Sequence, residues 1–364
     1  MANRIGKGKQ TATLLMALAL GLVAGGASAA GAPAAKGAAA SAGSAGSGYH
    51  VIKRIPLGGE GGWDYLAIDS AARRLYVTRG THVAVVDLES DKAVGDIPNL
   101  SGVHGVALDP DLGRGFISNG RSSEVTVFDL KTLKVLSTVK STGENPDAIL
   151  YDPASRRVFA FNGRSGSATV LDAATSAVAG TIPLGGKPEF ATADGKGRVF
   201  VNLEDKNEVL ELDATKLTVV ARWPLAPCEE PSGMAIDRRR GRLLIGCGNR
   251  MAGVVDTATG KVVGTPAIGQ GVDANGFDPG TNLGFSSNGE GTLTVLAEDE
   301  AGNFTVADNV TTERGARTMA IDEKTHRIYL ATARFNPAPA PTAEQPHPRP
   351  TPVAGSFVLL VVGR

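Results

Sequence analysis

From residue 58 onward, apolar and polar positions alternate in short runs, the period of half-buried strands rather than helices. Each unit opens with a run that closes on aspartate: YLAID, GVALD, AILYD, ATAD, GMAID, NGFD and TMAID. These aspartates are Asp69, Asp109, Asp152, Asp194, Asp237, Asp278 and Asp322, at spacings of 40, 43, 42, 43, 41 and 44. A turn follows each one, then a second strand such as RLYVT, RGFIS, RRVFAF or HRIYLAT. HVAVVDL, EVTVFDL, SATVLD and EVLELD read as third strands, and AVGDIP, VLSTVK, AVAGTIPL and VVARWPL as fourth strands. Seven units of four short strands predict an all-β chain: a seven-bladed β-propeller of four-stranded antiparallel blades.

The two ends of the repeat array complement each other. Unit seven stops at SFVLLVVGR without a fourth strand, and a spare strand, YHVIKRIPL (49–57), precedes unit one. Pairing the spare strand with 356–363 would close the ring and hide two strand edges that otherwise invite aggregation.

The wording of the repeats resembles the YVTN-type (YncE-like) propeller family. Tyr76-Val77-Thr78-Arg79, followed by Val83-Ala84-Val85-Val86-Asp87, is similar to its signature. Phe116-Ile117-Ser118-Asn119 with Val125-Thr126-Val127-Phe128-Asp129 is a second copy. The resemblance spans about 49–364 and implies the fold more than any one activity, because propellers host many functions. Arg79 stands where the signature has Asn.

Composition adds the compartment. Arg4, Lys7 and Lys9 precede an apolar stretch from Leu14 to Val23 and then Ala27-Ser28-Ala29, the pattern of a cleaved signal peptide over 1–29. Residues 30–48 are Ala/Gly/Ser-rich and read as a flexible linker. The apolar stretch is shorter than the ~20 residues a membrane span needs. The expected location is therefore periplasmic or secreted, without a transmembrane span. Lys+Arg and Asp+Glu are 37 each; loss of 1–29 leaves 34 basic against 37 acidic residues. That balance argues against nucleic acid as a partner, since phosphate binding draws on a basic excess. Gly at 47 of 364 residues suits many tight turns, and 42 % hydrophobic residues can fill a core. A Pro-rich insertion, 336–353, interrupts blade seven and predicts an extended, coreless excursion. A monomer is expected.

Positions that repeat are best explained by folding, and positions that vary at one register are candidates for function. The seven aspartates repeat, and Pro follows three of them (Pro110, Pro153, Pro279), which marks turns. Tyr76, Phe116, Phe159, Phe200, Phe285 and Tyr329 share one register with Leu244, and read as packing between blades. Five residues before each turn aspartate the register reads Asp64, His104, Asp147, Glu189, Ser232, Asp273 and Arg317. There the innermost strand begins, at the mouth of the central channel, and an apolar core would not select that set. Asp64, His104, Asp147 and Glu189 come from consecutive blades. Their carboxylates and imidazole suit a divalent metal ion. Water can equally solvate them, and Arg317 can neutralise Asp273 and Asp64.

Loops between second and third strands emerge on the same face, and Arg79, Arg121 and Arg164 would give blades one to three a basic arc around the acidic mouth. The GGEGG stretch at 58–62 lacks the lysine of a phosphate loop and reads as a flexible connection. No nucleophile elbow, zinc-protease motif or haem-attachment motif occurs. The reading is an exported, non-catalytic propeller that binds a small molecule, peptide or protein at the channel mouth. The alternative is a metal-dependent, lactonase-like hydrolase or lyase, with the metal held by Asp64, His104, Asp147 and Glu189. Cys228 and Cys247 fall on neighbouring strands of blade five and, in an oxidising compartment, are expected to form a disulfide.

Overall fold

The computed structural model describes residues 46–342, 348 and 350–364. The expected signal peptide and all but the last residues of the expected linker lie outside them, as does part of the Pro-rich insertion. Among the described residues are 28 strands and one 3-10 turn, Glu204–Lys206, arranged as seven antiparallel four-stranded sheets. Six blades are built in sequence order. Blade one, for instance, runs through Leu66–Asp69, Arg74–Thr78, Val83–Asp87 and Lys92–Ile97. The seventh pairs Thr318–Asp322, Arg327–Thr332 and Val358–Gly363 with the N-terminal strand His50–Pro56, His50 opposite Gly363 and Pro56 opposite Val358. First and last segments therefore share one sheet, and the ring closes as the pattern requires.

The repeated residues hold the repeat together. All seven turn aspartates are buried. Each accepts a hydrogen bond from a backbone N–H two or three residues on, at 2.7–3.3 Å. Some also tie blades together: Asp322 accepts from Arg73 at 2.6 Å and Ser70 at 3.0 Å, and Asp278 faces His326 Nδ1 at 2.7 Å. The aromatic register is fully enclosed between blades. Buried asparagines at the ends of second strands serve the blade as well: Asn119, Asn162 and Asn288 donate to Thr126, Thr169 and Thr294 at 3.0–3.1 Å. Cys228 and Cys247 are joined, with Cα atoms 5.6 Å apart, at the top of blade five.

A recurrent irregularity prepares the channel mouth. The pairing of first and second strands shifts register between Val103 and Val106, Pro146 and Ile149, Pro188 and Ala191, Pro231 and Met234, and Val272 and Ala274. Each shift encloses the variable residue of its blade. A bulge frees that residue from the ladder and re-aims its side chain. In blades one and seven the strand begins only after Asp64 and Arg317.

Candidate functional site at the channel mouth

The seven variable side chains divide into two groups. On the side of blades five to seven, charges are matched: Arg317 Nε lies 3.3 Å from an Asp273 oxygen, and Ser232 Oγ sits 3.4 Å from Asp273. On the side of blades one to four, acids surround an imidazole. His104 Nδ1 lies 2.7 Å from Asp64 Oδ2 and 3.5 Å from Asp147 Oδ1. Glu189 instead leans on Lys187 at 3.3 Å, and Lys187 also contacts Glu204.

These groups titrate abnormally. Burial pushes the Asp147 carboxyl up to about 6; His104 opposes the shift and the charge of Asp64 adds to it. Burial pushes Glu189 up to about 7, with Asp147 adding and Lys187 opposing. Burial disfavours the His104 imidazolium, yet the Asp64 hydrogen bond and the charges of Asp147, Asp64 and Glu189 outweigh it and hold the pKa above its ordinary value. His104 therefore carries a proton more readily than a free imidazole, inside a shell of carboxylates.

Tyr65, which has no place in the variable register, reaches across from blade one to blade four beside this cluster. Its hydroxyl crosses from blade one to donate to the Glu189 carbonyl of blade four at 3.1 Å, and its ring packs on Phe190 at 5.2 Å. Burial and four surrounding carboxylates, Asp147 first, raise the phenol well above its usual pKa, so it stays a donor. A signal existed. One residue after the variable register stand Tyr65, Gly105, Ala148, Phe190, Gly233, Ala274 and Thr318. Five are small, and the two aromatics are the pair that meets across the axis.

The arginine arc needs correction. Arg79 is buried and points back into its own wall, donating to the carbonyls of Gly62, Gly58 and Glu60 at 3.2, 3.2 and 2.9 Å. Its guanidinium lies 3.8 Å above the Phe357 ring. A side chain so engaged orders the 58–62 loop rather than a ligand. The loop is thus not the loose connection its glycines suggest: Gly355 N–H also donates to the Gly59 carbonyl at 2.8 Å. Phe335 and Phe357 pack against Trp63 at its end, at 6.0 and 5.3 Å. Arg121 and Arg164 are exposed, as expected of the arc. The neck of the Pro-rich insertion is paired, Asn336 N–H to Thr351 O at 2.9 Å and Val353 N–H to Arg334 O at 2.8 Å.

Arg121, Arg164, Asp64 and His104 line one cleft of about 1070 Å³, which runs from the mouth outward over blades two and three. The connection Lys140–Asn145 and Trp63 complete its walls. Among the described residues, Asp64, His104 and Asp147 form a group able to hold a metal ion, with one ligand atom from each lying within 4.8 Å of the others. Glu189 is not part of it.

No family model and no curated protein matches this chain. Solved structures do. A chain of Kuenenia stuttgartiensis hydrazine synthase is 15 % identical with a TM-score of 0.66, over 74 % of this chain and 92 % of its own. A chain of a mitotic checkpoint complex is 13 % identical with a TM-score of 0.70, over 92 % and 96 %. The likeness is one of fold. The chain is a seven-bladed propeller.

Proposed function

We propose that the chain is an exported, non-catalytic propeller of the YVTN type that binds a ligand at the channel mouth, in the cleft above Asp64 and His104. One observation carries the reading: an open cleft is lined by Asp64 and His104, whose half-buried cluster with Asp147 pairs its side chains with one another rather than with the repeated turns. A polar cluster that serves neither turn nor ladder is explained by what it recognises. Export accords with the Cys228–Cys247 pair. A thermal-shift screen of sugars, amino acids, peptides, nucleosides and divalent ions tests the reading. Hits should vanish in His104→Ala, and that variant should melt normally. Hits that persist in it would remove the site from the mouth.

The second reading, a metal-dependent hydrolase or lyase, draws on the same three residues. Two carboxylates and an imidazole fit a divalent ion. A bound ion would supply Lewis acidity and an activated water, and the chain's own part would be to hold it and to leave the cleft open to substrate. Elemental analysis of protein purified without chelator separates the readings: a stoichiometric ion lost in Asp147→Ala favours the enzyme.

A further inference from the structure

The cleft has two chemically different ends, and their pairing narrows the ligand. Its inner end offers Asp64 and His104. Its outer end brings together Arg121, Lys140 and Arg164 from three separate segments. Lys140 is partly engaged, donating to the Ser122 carbonyl at 2.6 Å and lying 4.0 Å from Glu124. Among the described residues Arg164 pairs with Glu144 alone, at 3.8 Å, with both side chains mostly exposed. Guanidiniums so weakly matched are available to carboxylates, which they grip in a planar fork.

Between the ends the lining is hydroxyl-rich, and apolar side chains are scarce. Of the lining residues other than glycine, only Trp63 and Val103 are apolar. A groove that reads apolar peptide side chains would need apolar pockets, and this one offers only the Trp63 ring and Val103. An indole face next to carboxylates and hydroxyls instead matches a sugar, whose ring has an apolar face and a polar rim. The outer wall is also preformed. Ser141 Oγ bonds Asn162 Oδ1 at 2.7 Å, Thr142 N–H donates to Thr169 at 3.0 Å, and Glu144 N–H donates to Ser165 at 2.7 Å. Such fixed loops bind without an ordering cost.

We infer that the cleft binds a short acidic oligosaccharide, with sugar carboxylates on Arg121 and Arg164, a ring against Trp63, and hydroxyls donated to the inner carboxylates. The inference rests on the mouth being a binding site and adds the ligand class. The volume, about 1070 Å³, lies just above the roughly 300–1,000 Å³ of small-ligand pockets, which suits several sugar units better than one.

Titration calorimetry of the full chain with tetragalacturonate, cellotetraose and tetraglutamate tests it. Saturable binding of the uronate is expected, weakened about tenfold or more by either Arg121→Ala or Arg164→Ala and weakened by added salt. Tryptophan fluorescence should change on binding in the parent and much less in Trp63→Phe. Cellotetraose binding as tight as the uronate would show that charge is not read. Tetraglutamate binding as tight would make the cleft a peptide site. No uronate binding at low salt overturns the inference outright. If the thermal-shift screen still yields a hit lost in His104→Ala, the ligand class alone is wrong; if it yields none, the binding reading fails as well.

Discussion

Each innermost strand has two ends, and they obey different rules. At one end stands the turn aspartate, present in all seven blades, buried, and met each time by a backbone N–H. At the other stands a residue that differs from blade to blade, set into a bulge or ahead of the strand. The repeated end solves one folding problem seven times. The varied end solves no folding problem common to the blades. It crowds carboxylates around His104 on one side and neutralises Asp273 with Arg317 on the other. Removing a group should therefore cost stability at the first end and recognition at the second.

The largest test bears on both ends together, because ring closure positions all seven strands. Deleting 49–57 exposes the edge of Val358–Gly363 and removes the whole of His50–Pro56 from its sheet. Loss of soluble, cooperatively melting protein is expected. A deletion that melts like the parent would deny closure its role.

Asp322→Ala comes next. It removes the acceptor of Arg73, Ser70 and Thr325 from a fully buried site. Breaking a buried ion pair from one side costs about 3–5 kcal/mol, and Arg73 keeps Glu89 at 2.7 Å, so ~3 kcal/mol is expected by urea denaturation. A loss below ~1 kcal/mol would undo the structural reading of the turn register.

Glu298 sharpens the comparison from outside the mouth. Burial and the charge of Asp237 push its carboxyl up to about 7, although it sits beside that turn aspartate and Arg240 rather than at the mouth. Below its ordinary pKa both folded and unfolded chains hold the proton. Between there and 7 only the folded chain does, so its contribution to stability falls as pH rises. Glu298→Gln should flatten that slope, by on the order of 2 kcal/mol at pH 8, and leave ligand binding unchanged. A shifted pKa then marks burial, and only the mouth's variability marks a site.

The period of the aspartates made the fold legible, since one supersecondary unit repeated seven times admits few architectures. The register five residues earlier made the mouth legible for the same reason: against a constant background, variation is visible. Arg79 departs from the basic arc because sequence gives a side chain's origin and not its direction. Its guanidinium turns to three loop carbonyls at 2.9–3.2 Å. The cleft lies off the axis because Lys140–Asn145, a connection between blades, forms its outer wall, and the repeat pattern carries no information on how such a connection leans. Tyr65 was within reach of the sequence, as an aromatic in a register otherwise mostly small.

The smallest effect is the most discriminating. Asp147 is ionised at pH 8 against the preference of its surroundings, which push its pKa to about 6. An amide at this position would keep the shape and drop the charge, so the Asp147→Asn variant removes repulsion with Asp64 and Glu189. The tie from Ser118 runs to the Asp147 backbone carbonyl at 2.5 Å, and the substitution leaves it in place. His104 loses one attraction and retains Asp64. Because the folded pKa is raised, the wild type loses stability as pH climbs from its ordinary carboxyl value through 6. In chelator, Asp147→Asn should thus melt with the parent near pH 4 and at or above it at pH 8, by up to about 1 kcal/mol. The same variant should bind a metal ion at the mouth less well, since it removes one of the three ligand residues. A variant destabilised at pH 8 would place Asp147 with the turn aspartates, as a residue the fold requires.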